Sequence, residues 1–243
     1  MKLLLVHTKA ELITLLRTPG FLIPTMIFPS MFFLMFAAPN LKFVSAANYT
    51  TGSFMAFAVF TVTFFQFGVG TANERDNSWS SYTRTLPAPP IYRNLAKVIT
   101  AAFLALLAAS VLVGTSILTT PINIPLVRWP RIFLTLAAGG LMMGTLGTAI
   151  AYLVSPKAAL PIANLIYLPM AYLGGMWMPI RFMPKLAQKI SPYLPSRQWM
   201  ELVWPAMTGG RWEITHWLAL VSFTIAFALL AGWAQHHDER IRF

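Results

Sequence analysis

Six stretches of the chain, 18–41, 43–73, 98–127, 132–156, 158–180 and 214–237, contain no Asp, Glu, Lys or Arg, so every charge falls between or beyond them. Each is at least as long as the roughly 20 residues an α-helix needs to cross about 30 Å of hydrocarbon. The pattern predicts spans at about 20–38, 51–73, 95–119, 132–154, 158–178 and 214–235. Ahead of them, residues 3–17 read as a helix lying on a membrane surface. Leu5, Leu12, Ile13 and Leu16 share one face and His7, Glu11 and Thr14 the other, while Lys9 falls in the apolar arc and has to snorkel.

Composition removes the soluble reading of the same runs. Charged residues make up 10% and hydrophobic ones 57%, with mean hydropathy +0.63, against roughly 25% charged residues in soluble domains. The 243 residues are nearly consumed by the spans. The first span has no small-residue cleavage site behind it and contains Pro24 and Pro29, so it reads as retained rather than as a cleaved signal. The absence of cysteine excludes disulfides, thiolate metal sites and thiol nucleophiles. A net charge of +11, with the bases flanking apolar runs, points to anionic phospholipid as partner and not to nucleic acid.

An even number of crossings puts both ends on one side. With the ends cytoplasmic, ten of the 18 bases lie inside: Lys2, Lys9, Arg17, Arg75, Arg84, Arg93, Lys97, Lys157, Arg240 and Arg242. The first short loop carries only Lys42, against Arg75, Arg84, Arg93 and Lys97 around the second, and this asymmetry sets the expected orientation.

Two connections are not simple turns. Asn73–Pro90 is polar and charged, ends in a proline cluster, and spaces Trp79, Tyr82 and Leu86 for one side of a short helix. Such a helix either docks a partner through its aromatic face or rests at the headgroup level, and the residues alone leave both open. Pro179–Arg211 is punctuated by Pro184, Pro192, Pro195 and Pro205. Leu186 with Ile190, and Trp199 with Leu202 and Val203, predict short amphipathic helices that dip into the outer leaflet, as a lid over an exit or as a passive loop.

Several chemistries are excluded. None of the 14 glycines belongs to a G-x4-G-K-[ST] motif, so the chain cannot cradle ATP phosphates in the P-loop manner. All seven acids (Glu11, Glu74, Asp76, Glu201, Glu213, Asp238 and Glu239) lie outside the spans, which disfavours a proton-coupled secondary transporter. His216, His236 and His237 sit at span ends as interfacial residues. No H-E-x-x-H or comparable ligand cluster supports an intramembrane hydrolase.

Within the spans, Gln66 and Asn164 are the polar residues that could line a path, although helix-to-helix hydrogen bonding is the commoner use. Gly140 and Gly144 form a G-x-x-x-G pair that predicts close helix packing. The phenylalanines of the first two spans, among them Phe28, Phe32, Phe57, Phe60 and Phe64, suit lipophilic cargo and lipid contact equally well.

The run Glu74-Arg75-Asp76, then Leu86-Pro87, then Lys97 resembles the E-R-[ED]-x-G-T-x6-L-x-x-P-x9-K region after the second span of type-2 ABC exporter permeases. Leu173-Gly174-Gly175-Met176-Trp177-Met178-Pro179, with Met183-Pro184 and Ser191-Pro192, is similar to that family's fifth-span segment. The chain has Ser78-Trp79 where the family commonly has Gly-Thr, and Ser191-Pro192 where it commonly has Asn-Pro. With the surface helix and six spans, the likeness covers nearly the whole chain.

The resemblance implies one all-α, polytopic permease domain over 1–243. Its parts are an interface helix at 1–17, a cytoplasmic coupling helix at 74–90, six spans, and an extracytoplasmic re-entrant segment at 179–212. It implies a location in the cytoplasmic membrane, a second permease copy, like or unlike, and ABC ATP-binding subunits that hold the ATP and magnesium, this chain holding no cofactor or metal and doing no catalysis itself. Partner contacts are then expected at Glu74, Arg75, Asp76, Trp79, Tyr82, Leu86 and Pro87. A weaker one falls at Lys157 in the turn Ser155-Pro156-Lys157.

Overall fold

A computed structural model describes residues 2–75 and 90–242. Among these residues the secondary structure is entirely helical. The elements are α1 (Lys2–Leu16), α2 (Pro19–Phe32), α3 (Val44–Phe65), α4 (Thr71–Arg75), α5 (Pro90–Thr119), α6 (Trp129–Leu153), α7 (Pro156–Leu173), α8 (Lys185–Ile190), α9 (Pro195–Thr208) and α10 (Ile214–Arg242). A π-helical turn, Phe33–Ala37, extends α2, and a second, Gln66–Gly70, joins α3 to α4.

Among the described residues, five helical runs are long and apolar enough to cross a membrane: Leu22–Asn40, Val44–Arg75, Tyr92–Thr119, Leu126–Leu153 and Ile214–Asp238. The expected fifth crossing is represented by α7, which has 18 residues and includes Pro161, Asn164 and Pro169, so it is shorter and less apolar than the others. It stops at Leu173 and not near 178, because Gly174-Gly175 caps it. Met176 N–H donates to Ala171 O at 3.1 Å and Gly175 N–H to Tyr172 O at 2.9 Å, and Gly175 takes the left-handed φ of +84° that this cap requires.

The second span begins earlier than expected, at Val44. Its polar first turns need no water because Asn48 is spent on the chain. Asn48 Nδ2 donates to Asn123 O at 2.7 Å and Asn48 Oδ1 accepts from Asn123 N at 3.0 Å. The helix is the axis of the molecule: Phe54, Phe57, Phe60 and Phe64 are all at most 1% exposed. These four phenylalanines therefore make core, whereas Phe28 and Phe36 of the first span remain exposed. Tyr167 of α7 sits among them, 4.8 Å from the Phe60 ring and 5.5 Å from that of Phe57, with its hydroxyl on Thr61.

Small residues let α6 approach this axis. A Cβ on Gly147 would lie 2.7 Å from Phe64 O and 3.0 Å from Gly68 N, so two backbones touch there. The predicted pair Gly140 and Gly144 instead faces side chains, Val59 and Phe67. α10 is the opposite case: it packs along α6 and α9 but presents Val221, Ile225 and Leu229, four residues apart, on its outer side.

The segment expected to dip from the surface goes deeper. Trp199, Leu202 and Val203 of α9 are fully buried, and Trp199 Nε1 donates to Thr135 O at 2.8 Å. α8 keeps to the outside, with Leu186 and Ile190 exposed. α1 is a helix as predicted, but its apolar residues divide. Leu12 and Leu15 pack on the core while Leu5, Ile13 and Leu16 face outward, because the helix lies against α5.

Candidate functional site

The charged group that ends the second span is assembled from four helices. Lys97, one to two turns into α5, places Nζ 2.6 Å from Glu74 Oε2 and 3.1 Å from Thr71 Oγ1. This ties the outgoing stem of the 76–89 segment to its returning stem. Glu11 of α1 joins the same neighbourhood. Burial and the nearby Glu74 carboxylate raise its pKa from the usual value, and Lys97 opposes them.

Arg75 turns the other way, into the protein, with its side chain 6% exposed. Its guanidinium donates to Ala151 O, lies 3.5 Å from Val154 O, pairs with Asp238 of α10, and stands 4.9 Å from the Tyr152 ring centre. The last carbonyls of a helix lack intrahelical donors and carry the negative end of its dipole, so Arg75 acts as a cap for α6. Lys157, three residues beyond Val154 in the turn that opens α7, is exposed.

Of the expected partner-facing residues, then, Glu74 and Lys157 lie at this end, Glu74 half exposed and Lys157 exposed, whereas Arg75 is spent on intramolecular contacts. Asp76, Trp79, Tyr82, Leu86 and Pro87 lie outside the described residues.

The two polar residues expected on a path are not brought together. Gln66 opens a π turn and is 1% exposed, with neither carboxamide atom hydrogen-bonded among the described residues. Asn164 is partly exposed, its Nδ2 donating back to Leu160 O at 3.1 Å. Neither lines a groove of about 680 Å³ between α3, α5 and α6 whose walls include Val59, Ala101, Ala105 and Gly140. The threonines along it, Thr63, Thr145 and Thr148, donate to carbonyls of their own helices. The groove therefore offers an apolar shape and little hydrogen-bonding capacity.

At the opposite end, basic side chains close the connection after α9. Arg128 Nη1 donates to Met207 O at 3.0 Å and Arg131 Nη2 to Gly210 O at 2.9 Å, with the Arg131 guanidinium 4.2 Å from the Trp212 ring centre. Sequence reasoning missed these contacts, the Asn48–Asn123 clasp and the Arg75–Asp238 pair. Charged or amide residues at span ends were the available signal, and nothing in it names the partner.

Among the described residues no cluster of His, Asp or Glu could hold a metal ion. The described residues offer long apolar helices, a charged hub at one end and a hydrogen-bonded corner at the other. The sequence profile of ABC-2 family transporter proteins matches residues 37–233. The chain is 26% identical over 236 residues, 96% of each chain, to the Bacillus subtilis (strain 168) protein named "Putative transport permease YvfS". The profile match takes in the long apolar runs from Val44 onward, the last one without its final residues, and only the end of the first, and at four fifths of the chain it shows that the chain belongs to the ABC-2 family of transporter proteins, as a multi-pass permease whose kind works with an ATP-binding subunit.

Proposed function

We propose that this chain is the membrane-spanning subunit of an ATP-driven exporter of the cytoplasmic membrane, working as a pair of permease copies on two ATP-binding subunits. The family match over 37–233 carries this reading, since it runs from the end of the first span through the start of the last helix's final turns and includes the 76–89 segment. α7 serves as the fifth of six crossings: its 18 residues span about 27 Å at 1.5 Å per residue, close to the hydrocarbon thickness. Six crossings put α1, the 76–89 segment, Lys157 and the C-terminal end of α10 together in the cytoplasm, in keeping with the excess of bases there. α1 then rests at the interface, and α8 and α9 form a re-entrant element on the outer side.

In this reading the 76–89 segment docks on the ATP-binding subunit through Trp79, Tyr82 and Leu86, with Asp76, Pro87 and the flanking Glu74 and Lys157 at the rim. ATP and magnesium belong to that partner. Gln66 and Asn164 are the polar candidates along the substrate path.

Copurification tests the reading. The permease is expressed with the ATP-binding subunit of its own operon or nearest neighbour and captured by a tag. The native chain is expected to retain the subunit and its ATPase activity. Trp79→Ala combined with Leu86→Ala is expected to insert normally but to weaken retention by about 30-fold, the effect of losing a central anchor worth about 2 kcal/mol. Full retention by the double variant would overturn the docking assignment.

A further inference from the structure

Asp238 stands at the end of the last helix, where the sequence offers only a solvated charge. Its carboxylate is instead 17% exposed and paired with Arg75, whose other donor caps α6 through Ala151 O. Arg75 is also the last described residue before the 76–89 segment. One guanidinium thus joins the root of that segment to the corner between α6 and α7 and to the end of α10. On the other side of the root, Glu74 is fastened to Lys97.

We propose that Asp238 is a positioning residue for coupling: through Arg75 it makes the end of α10 follow any displacement of the 76–89 segment. The inference rests on the docking of that segment proposed above. Its physical basis is the difference between the two outputs of Arg75. The carbonyls of Ala151 and Val154 belong to a helix that packs along α3 and cannot easily leave it. α10 packs along α6 and α9, but near its end Gln235, His236 and His237 are exposed, so the Asp238–Arg75 pair is one of the ties that hold that end. A charge-assisted contact in this partly enclosed setting is directional and strong enough to carry a displacement. The α6 cap through Ala151 O does not involve the carboxylate, and the amide of Asp238→Asn keeps an oxygen that can accept from Arg75.

The experiment uses the chain's lack of cysteine. Ser81→Cys and His236→Cys are introduced singly into the full-length permease, copurified with its ATP-binding subunit in lipid nanodiscs. The rate of maleimide labelling of each permease thiol is measured without nucleotide and with ATP trapped by vanadate. In the otherwise native chain both rates are expected to change on trapping. With Asp238→Asn, the change at position 81 is expected to persist and the change at 236 to be lost, and Asp238→Glu is expected to restore it.

An ATP-dependent change at 236 that is unaffected by Asp238→Asn overturns the proposal. So does a simultaneous loss at 81 and 236, which would mean that Asp238 serves assembly and not transmission. If position 81 in the native complex does not respond to ATP, the docking reading itself fails and takes this inference with it.

Discussion

Gly139 of α6 lies directly beneath the indole of Trp199 in α9: a Cβ built on the glycine would fall 1.8 Å from Trp199 Cε2. The hydrogen bond from Trp199 Nε1 to Thr135 O, one helical turn away at 2.8 Å, fixes the ring in that position. Gly139→Ala is expected to destabilise the protein by about 1–3 kcal/mol through overpacking, and Trp199→Ala by about 3–5 kcal/mol through the cavity it leaves. Thermal unfolding of the detergent-solubilised permease, followed by loss of the monodisperse fraction, measures both.

Gly147 and Gly144 should differ although both belong to the small-residue face of α6. A Cβ at 147 meets backbone, Phe64 O at 2.7 Å, which cannot retreat without displacing α3. At 144 it meets the Phe67 ring at 3.1 Å, and a ring can swing aside. Gly147→Ala is therefore expected to lose most of its folded yield under conditions where Gly144→Ala keeps it, as read by fluorescence-detected size-exclusion chromatography.

Glu11 gives a pH signature. Its carboxyl titrates above the ordinary 4.5 because burial and Glu74 disfavour the charged form. A raised native pKa means that the folded state holds its proton more tightly than the unfolded chain does. Stability from this site is full below about pH 4.5 and declines as pH rises through the raised value. Glu11→Gln removes that decline. Its melting temperature is expected to exceed the native one at pH 7.5 and to match it near pH 4, and a lower melting temperature at neutral pH would contradict the assignment.

The corner after α9 should be intolerant of a single methyl group. Gly209 has φ +89° and lies where a Cβ would approach Arg128 Nη2 to 2.7 Å. Gly209→Ala is strained in its backbone and displaces Arg128 from Met207 O. Faster protease cleavage between α9 and α10 is the expected result, measured on reconstituted protein, while Gly210→Ala, whose Cβ would meet only Pro205 at 3.2 Å or more, is expected to change it far less.

The charge-free runs located the long helices because hydrocarbon excludes unpaired charge, and that constraint is written one residue at a time. The end of α7 was not legible: the apolar run continues to about 178, past the Gly174-Gly175 cap that stops the helix at Leu173. Nor was the start of α3: Val44–Tyr49 reads as loop until Asn48 finds Asn123, 75 residues on. The hub around Arg75 was half legible. The sequence marked Glu74, Arg75 and Lys97 as a group, but it showed no difference between a base facing outward and one turned inward to Asp238, 163 residues away. Trp199, Leu202 and Val203 were visible as an apolar stripe. Their burial depended on Gly139 leaving room, which only packing reveals.

The two π turns give the first and second spans a kind of slack. Each contains one residue more than an α-helical path of the same pitch would need, at Phe33–Ala37 and again at Gln66–Gly70. Rewinding the second into regular α geometry would swivel everything after it by about 100° and push it outward along the axis by about 1.5 Å.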